Sequence, residues 1–217
     1  MSTIGAPTPK TQLKRVPERG QYDRESLDAV LDEGYLCHVG IVHDDQPVVI
    51  PTLYTRMGDH LILHGSPASR LLRSAKNNQI CVTVTHVDGF VLARSALHHS
   101  MNYRSAVIFG KPEVVETEHK AAALDALTDS LAPDRRPFLR EMTEQEVKGT
   151  LLLRLSLDEA SVKIRQGGPV DEPEDYELPI WAGVIPVTVA YGEPITDPLT
   201  TTPAEIPNHA KDFRPPS

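Results

Sequence analysis

The segment His64-Gly65-Ser66-Pro67-Ala68-Ser69-Arg70 brings a histidine, two hydroxyls and an arginine fork together where an apolar run gives way to a helical pattern. Serine hydroxyls, a guanidinium and the free N–H groups at a helix start can together hold a phosphate. The same residues also read as a helix cap, with Ser66 as the capping residue, followed by a solvated arginine. Asn102-Tyr103-Arg104-Ser105 poses a similar choice between a ligand-facing polar run and the exposed face of an antiparallel strand. Nine histidines raise the question of metal, but His98 and His99 point to opposite faces of any strand and no HxxH or HExxH spacing occurs, so no metal site is expected. A haem needs only one histidine, and that reading stays open. Cys37 and Cys81 lie inside apolar runs, as small buried hydrophobes do. GxSxG, Walker and GxGxxG patterns do not occur, which removes the usual serine-hydrolase, P-loop and Rossmann chemistries. Trp181, the sole tryptophan, stands in a proline-flanked tail, where its indole either pins the tail or covers a planar ligand.

Short strands must position these groups. Leu27, Val30 and Leu31 recur at helical spacing behind Asp23 or Ser26 as cap, with Gly34 as the stop. YLCHVGIV and PVVIPTLYTR flank the polar turn His43-Asp44-Asp45-Gln46, a hairpin pattern, and HLILHG follows as a third strand. SPASRLLRSAKNN reads as a short helix, QICVTVTHV and FVLARSAL as two strands about Asp88-Gly89, and NYRSAVIFGKPEVV as another. A helix is expected from Thr117 to about Ser130, a second helical piece after it, and one long strand over TLLLRLSLDEASVKIRQ. Ten of the 19 prolines fall in the last 49 residues, so little of that stretch can enter a sheet interior. The expectation is a mainly β, antiparallel, six-stranded barrel over residues 21–198, with a flexible N-terminal arm at 1–20 and a flexible C-terminal tail at 199–217.

The 217 residues are 40% hydrophobic and 24% charged, which fits a globular chain with a sizeable core. The formal charge of −8 argues against non-specific binding to nucleic acid or anionic membranes. No apolar run nears the roughly 20 residues that span a bilayer, and the N-terminus lacks a signal peptide's apolar stretch. A soluble, cytoplasmic, reduced protein is expected.

VVIPTLYTRMGDHLILHGSPASRLLRSAKNN, QICVTVTHVDGFVLARSALHHSMNYRSAVIFGKPEVV, VKIRQGGP and WAGVIP, in this order, resemble the pyridoxamine 5′-phosphate oxidase-like flavoproteins, in particular the flavin-nucleotide-binding branch that includes nitroimidazole-resistance reductases. The resemblance runs from about residue 15 to 198. It implies a split β-barrel, a homodimer and FMN at the subunit interface. Carried over, Val49, Ile50, Pro51, Thr52 and Tyr54 belong to the strand beside the flavin ring, and His64 and Gly65 to the strand end that meets it. Ser69 and Arg70 match the pair that grips the phosphate, with Leu71 where the oxidases have a lysine. Arg104 and Ser105 fall where the oxidases contact flavin, and Trp181 matches a C-terminal tryptophan that reaches it from the partner subunit. The oxidases follow that tryptophan with an Arg/His-bearing segment; Gly183-Val184-Ile185-Pro186-Val187-Thr188 has neither, so vitamin B6 oxidation is not expected. The reading is an FMN-dependent oxidoreductase acting on a small molecule, with His64 as the best acid–base candidate. Two alternatives are a non-catalytic flavin-binding protein and a split barrel that uses the deazaflavin F420 or haem.

Overall fold

In the computed structural model, which describes residues 7–200 and 205–213, burial alternates along the apolar runs as a half-covered sheet requires. Cys37, Val39 and Ile41 are buried, whereas Leu36, His38 and Val42 are exposed. These residues form β2 (Leu36–His43), which turns into β3 (Gln46–Met57) through Asp44 and Asp45 at φ 50° and 57°. Two left-handed residues make the primed turn that matches strand twist. The helix before the hairpin, α1 (Arg24–Asp32), is capped by Asp23, whose carboxylate accepts the Ser26 N–H at 2.7 Å. After β4 (His60–Gly65) comes α2 (Arg70–Ala75). Its cap is Ser69, which accepts the Leu72 N–H at 3.5 Å, and not Ser66, which instead closes a turn by accepting the Ala68 N–H at 3.1 Å. Burial of Leu71, Leu72 and Ala75 sets that start.

Among the described residues the strands number ten, not six. β5 (Ile80–Leu92) is one strand where two were expected: it runs through Asp88-Gly89 by a bulge, because β6 (Ser100–Gly110) pairs with it on both sides of the irregularity. The expected long strand near residue 155 is two, β8 (Leu151–Ser156) and β9 (Ala160–Arg165). Between them Leu157 stays buried and donates its N–H to the Asp59 carbonyl at 3.0 Å, which turns the chain from one side of the core to the other. Short strands β1 (Gly20–Gln21), β7 (Glu113–Val114) and β10 (Gly183–Pro186) complete an antiparallel sheet of order β1-β9-β6-β5-β2-β3-β4-β8-β7, with β10 on β5. This is consistent with a split barrel, since α1, α2 and the inner faces of β2, β3, β4, β5, β6, β8 and β9 share one core cluster. Helix α3 (Thr117–Leu131) lies outside it, burying Ala123 against Ile62 and Leu152 from the opposite face. A further short helix, α4 (Glu144–Gly149), carries a capping box of Thr143 and Glu146. No helix among the described residues is long and apolar enough to cross a membrane.

Parts of the expected arm and tail lie outside the described residues. What is described of the arm rests on the body: Thr11 is buried, and Thr8 Oγ1 donates to Glu159 at 2.9 Å. The proline-rich stretch ahead of residue 199 is held to the sheet by β10, which pairs with the end of β5. That pairing depends on Gly89, where a Cβ would stand 2.9 Å from the Ile185 carbonyl oxygen. Gly89→Val is therefore expected to cost about 1–3 kcal/mol and to release β10 while the core persists. Hydrogen exchange at the Val187 amide, which donates to the Asp88 carbonyl at 3.1 Å, reads this out. Unchanged protection there would refute it.

Candidate functional site

Sheet register decides which side chains can meet. Tyr54 pairs with Leu63 and both are buried in the core, so on β3 and β4 the alternate residues, Val49, Pro51, Leu53 and His64, face outward. Across the hairpin, His38 opposes Pro51 and Gly40 opposes Val49; on the other side, His38 opposes Thr83 and Gly40 opposes Cys81. The outer face thus presents Leu36, Val42 and Val49 to solvent around a shallow apolar cavity of about 380 Å³, lined by Gly40, Val42, Pro47, Val49, Cys81 and Phe109. Such an apolar face with few polar groups suits a planar ligand or a second subunit.

At one margin of this face stand the residues that can do chemistry. His64 pairs with Leu152 at the end of β4 and is half-buried; its Nδ1 is shielded from solvent and has no hydrogen-bond partner. Burial lowers its pKa, which favours the neutral imidazole, the form that binds metals. Five residues on, Ser69 begins α2 and Arg70 is exposed, with no ion pair or hydrogen bond to its guanidinium among the described residues. His64 and Gly65 thus end the strand that leads into Ser69 and Arg70, and Val49 and Pro51 lie on the outward side of the neighbouring β3.

The other expected residues face the core, are engaged by neighbouring groups or stand on a different element. Ile50 packs toward the core, and Thr52 shares its inward side opposite Cys37. Tyr54 is buried, with its hydroxyl donating to the Leu31 carbonyl at 2.7 Å, and burial pushes its pKa well above the usual phenol range. Arg104 is engaged by two carboxylates: its Nη2 donates to Asp88 at 2.7 Å and to Glu33 at 2.8 Å, and its Nη1 also donates to Glu33. Ser105 donates to the Lys163 carbonyl at 3.4 Å. Trp181 is exposed, and its ring closes over Gly183, which pairs with Leu92, nine residues along β5 from Thr83 (92 − 83). Cys37 is buried with its thiol pushed up to about 12, and burial also raises Cys81, which leaves neither as a ready nucleophile.

Hydrogen bonding to Arg104 holds the Glu33 carboxyl below the usual carboxylate range. A depressed carboxylate stabilises the fold above its unfolded pKa of about 4.3, and that contribution disappears as pH falls through the folded value. The stability difference between wild type and Glu33→Gln should accordingly be largest near neutrality and close below roughly pH 4, modestly in size because Glu33 is 43% exposed. Thermal melts across pH test it, and a gap that widens in acid would contradict it.

One cluster had no signal in the sequence. His98, Asp171 and Asp175 bring ligand atoms within 4.8 Å of one another, although 73 residues (171 − 98) separate the first two. Asp171 already accepts the Arg94 guanidinium at 3.0 Å and the Arg94 N–H at 3.1 Å, while Tyr176 stacks on Arg94 at 4.8 Å. These contacts clasp the start of the tail to the loop after β5.

Comparison with known proteins decides what kind of molecule carries this site. The family model described as pyridoxamine 5′-phosphate oxidase matches residues 23–164, most of the chain and all of the candidate group except Trp181. The chain belongs to the pyridoxamine 5′-phosphate oxidase family. Within this family two solved structures resemble it over nearly their whole length. The flavocytochrome Anf3 from Azotobacter vinelandii is 38% identical, with a TM-score of 0.91, covering 96% of this chain and 98% of that one. The FAD and heme binding protein from Mycobacterium smegmatis is 39% identical, with a TM-score of 0.86, covering 91% and 98%. A putative 5-nitroimidazole antibiotic resistance protein from Bacteroides thetaiotaomicron, 24% identical with a TM-score of 0.55 over 67% of this chain and 86% of that one, shares the fold. No curated protein sequence matches the chain.

Proposed function

We propose that this member of the pyridoxamine 5′-phosphate oxidase family is an electron-transfer oxidoreductase that holds FAD and a haem, as a homodimer. The observation that carries the reading is a half-buried imidazole, its Nδ1 without a hydrogen-bond partner among the described residues, at the end of the strand that leads into the α2 cap Ser69 and the exposed, unpaired Arg70. Support comes from the two relatives of 38–39% identity, both named for a flavin together with a haem or cytochrome. FMN was the expectation from sequence; FAD contains the same flavin and first phosphate, so the residues that suit one suit the other.

Ser69 and Arg70 would hold the first phosphate through charge-assisted hydrogen bonds. Val49 and Pro51 would supply the apolar wall for the ring, and the backbone of β3 its polar contacts. His64 would hold the haem: a single neutral imidazole is sufficient, and its burial disfavours protonation. When bound, flavin exchanges two electrons and haem one, so together they convert between the two kinds of carrier. The chain's own task is to exclude water with the apolar face and to keep His64 neutral.

The second subunit follows from the uncovered surface. Leu36, Val42 and Val49 on the sheet, and Trp181, Ile185 and Val189 on the tail, are all exposed in one chain. A dimer burying these two surfaces should exceed roughly 2,000 Å² in total and bring Trp181 to the partner's flavin. The visible spectrum of the purified protein, with mass by light scattering, tests all of this. Flavin bands plus a Soret band on a particle of twice the chain mass are expected. A colourless protein would sink the cofactor reading, and a monomer at micromolar concentration the assembly.

A further inference from the structure

Acidic residues outnumber basic ones 30 to 22 in this chain, and its arginines generally find carboxylates: Arg24, Arg56, Arg94, Arg104, Arg136 and Arg154 all do. The exposed side of α2 is an exception. Arg70 and Arg73 lie one turn apart, and Lys76 follows at the same spacing; all three are exposed, and no acidic group pairs with any of them among the described residues. The opposite side of the helix is fixed, since Leu71, Leu72 and Ala75 are buried in the core. Residues three apart on a helix are surface neighbours, so this is a continuous cationic strip that begins at the proposed first-phosphate position. A strip of uncompensated cations on a chain of net charge −8 favours an extended anion over a single phosphate.

We infer that Arg73 holds the second, adenosine-side phosphate of FAD and is the residue that makes this site prefer the dinucleotide to FMN. The inference rests on the flavin reading above and adds to it the residue that discriminates between two flavins. Leu71 fills the place where the oxidases have a lysine, and its side chain is buried in the core. Arg73, one turn on and exposed, is the next cation along the strip from the proposed first-phosphate position. Ordering a second phosphate against Arg73 adds one charge-assisted contact that FMN cannot make. Lys76 lies further along and is a strongly hydrated point charge, so it should act only as a weak steering charge.

The experiment strips flavin from the purified protein and titrates FAD, FMN and riboflavin by fluorescence quenching into wild type, Arg73→Gln and Arg70→Gln. Arg73→Gln should weaken FAD by about 10- to 100-fold and FMN by less than about twofold, while Arg70→Gln weakens both nucleotides. The wild-type preference for FAD should also shrink as salt rises, because the strip is exposed. Equal loss of FAD and FMN in Arg73→Gln, or no loss of either, overturns the role of Arg73 and leaves the flavin reading standing. Wild-type protein that binds FMN as tightly as FAD overturns the preference itself. Failure of all three flavins to bind wild type overturns the underlying reading. Arg73 is exposed, so the variant should fold, which circular dichroism checks independently.

Discussion

Arg70→Ala is expected to weaken flavin-nucleotide binding by about 30- to 1,000-fold, or roughly 2–4 kcal/mol, while leaving riboflavin binding nearly unchanged. Removing the guanidinium takes away a forked donor and leaves phosphate charge poorly compensated. Leu71 cannot replace it, because it is apolar and buried in the core. The variant should fold as well as wild type does, since Arg70 is exposed and the cap of α2 is the Ser69 side chain. Flavin titrations on the stripped protein decide the matter. If Arg70→Ala binds FMN and FAD as tightly as wild type, the phosphate lies elsewhere and the alignment of this segment with the family motif must be redrawn.

The second large effect concerns haem. His64→Ala should abolish stoichiometric haem retention, seen as loss of the Soret band from the purified protein, with flavin still present. Added imidazole should restore the band by entering the space the side chain leaves, which a merely misfolded variant would not permit. His38→Ala is the informative control: His38 lies on the same outer face but is exposed, so haem should survive its removal. Retention of an unchanged Soret band in His64→Ala would pass the haem-holding role to another histidine.

Much of this architecture could be read from the chain as written. The structure chose Asp23 over Ser26 as the cap of α1, whereas alternating burial in YLCHVGIV and a turn within His43-Asp44-Asp45-Gln46 are local effects legible in sequence. The same holds for the helix from Thr117, whose expected end lies one residue from the observed one at Leu131. Local signals mislead where a neighbouring strand overrides them. Asp88-Gly89 looks like a turn, yet β6 on one side and β10 on the other hold it extended as a bulge. The run around Asp158 looks like one strand, yet the core needs Leu157 inside and the chain must cross from β4 to β6.

For the site the division is similar. The order of motif blocks was enough to point to the family, and His64, Ser69 and Arg70 are close in sequence, so a short strand and helix bring them together. Their surroundings came only from tertiary structure. Sequence offers Val49, Ile50, Pro51, Thr52 and Tyr54 equally, and only pairing with β2 and β4 divides them into outward Val49 and Pro51 and inward Ile50, Thr52 and Tyr54. Arg104 reads as a free cation until Glu33, 71 residues earlier, and Asp88 are seen to engage it. Side-chain direction in a strand has a period of two, and charge compensation acts through space at any separation along the chain. The sequence by itself therefore determined which groups are available, and folding alone decided which of them remain uncommitted.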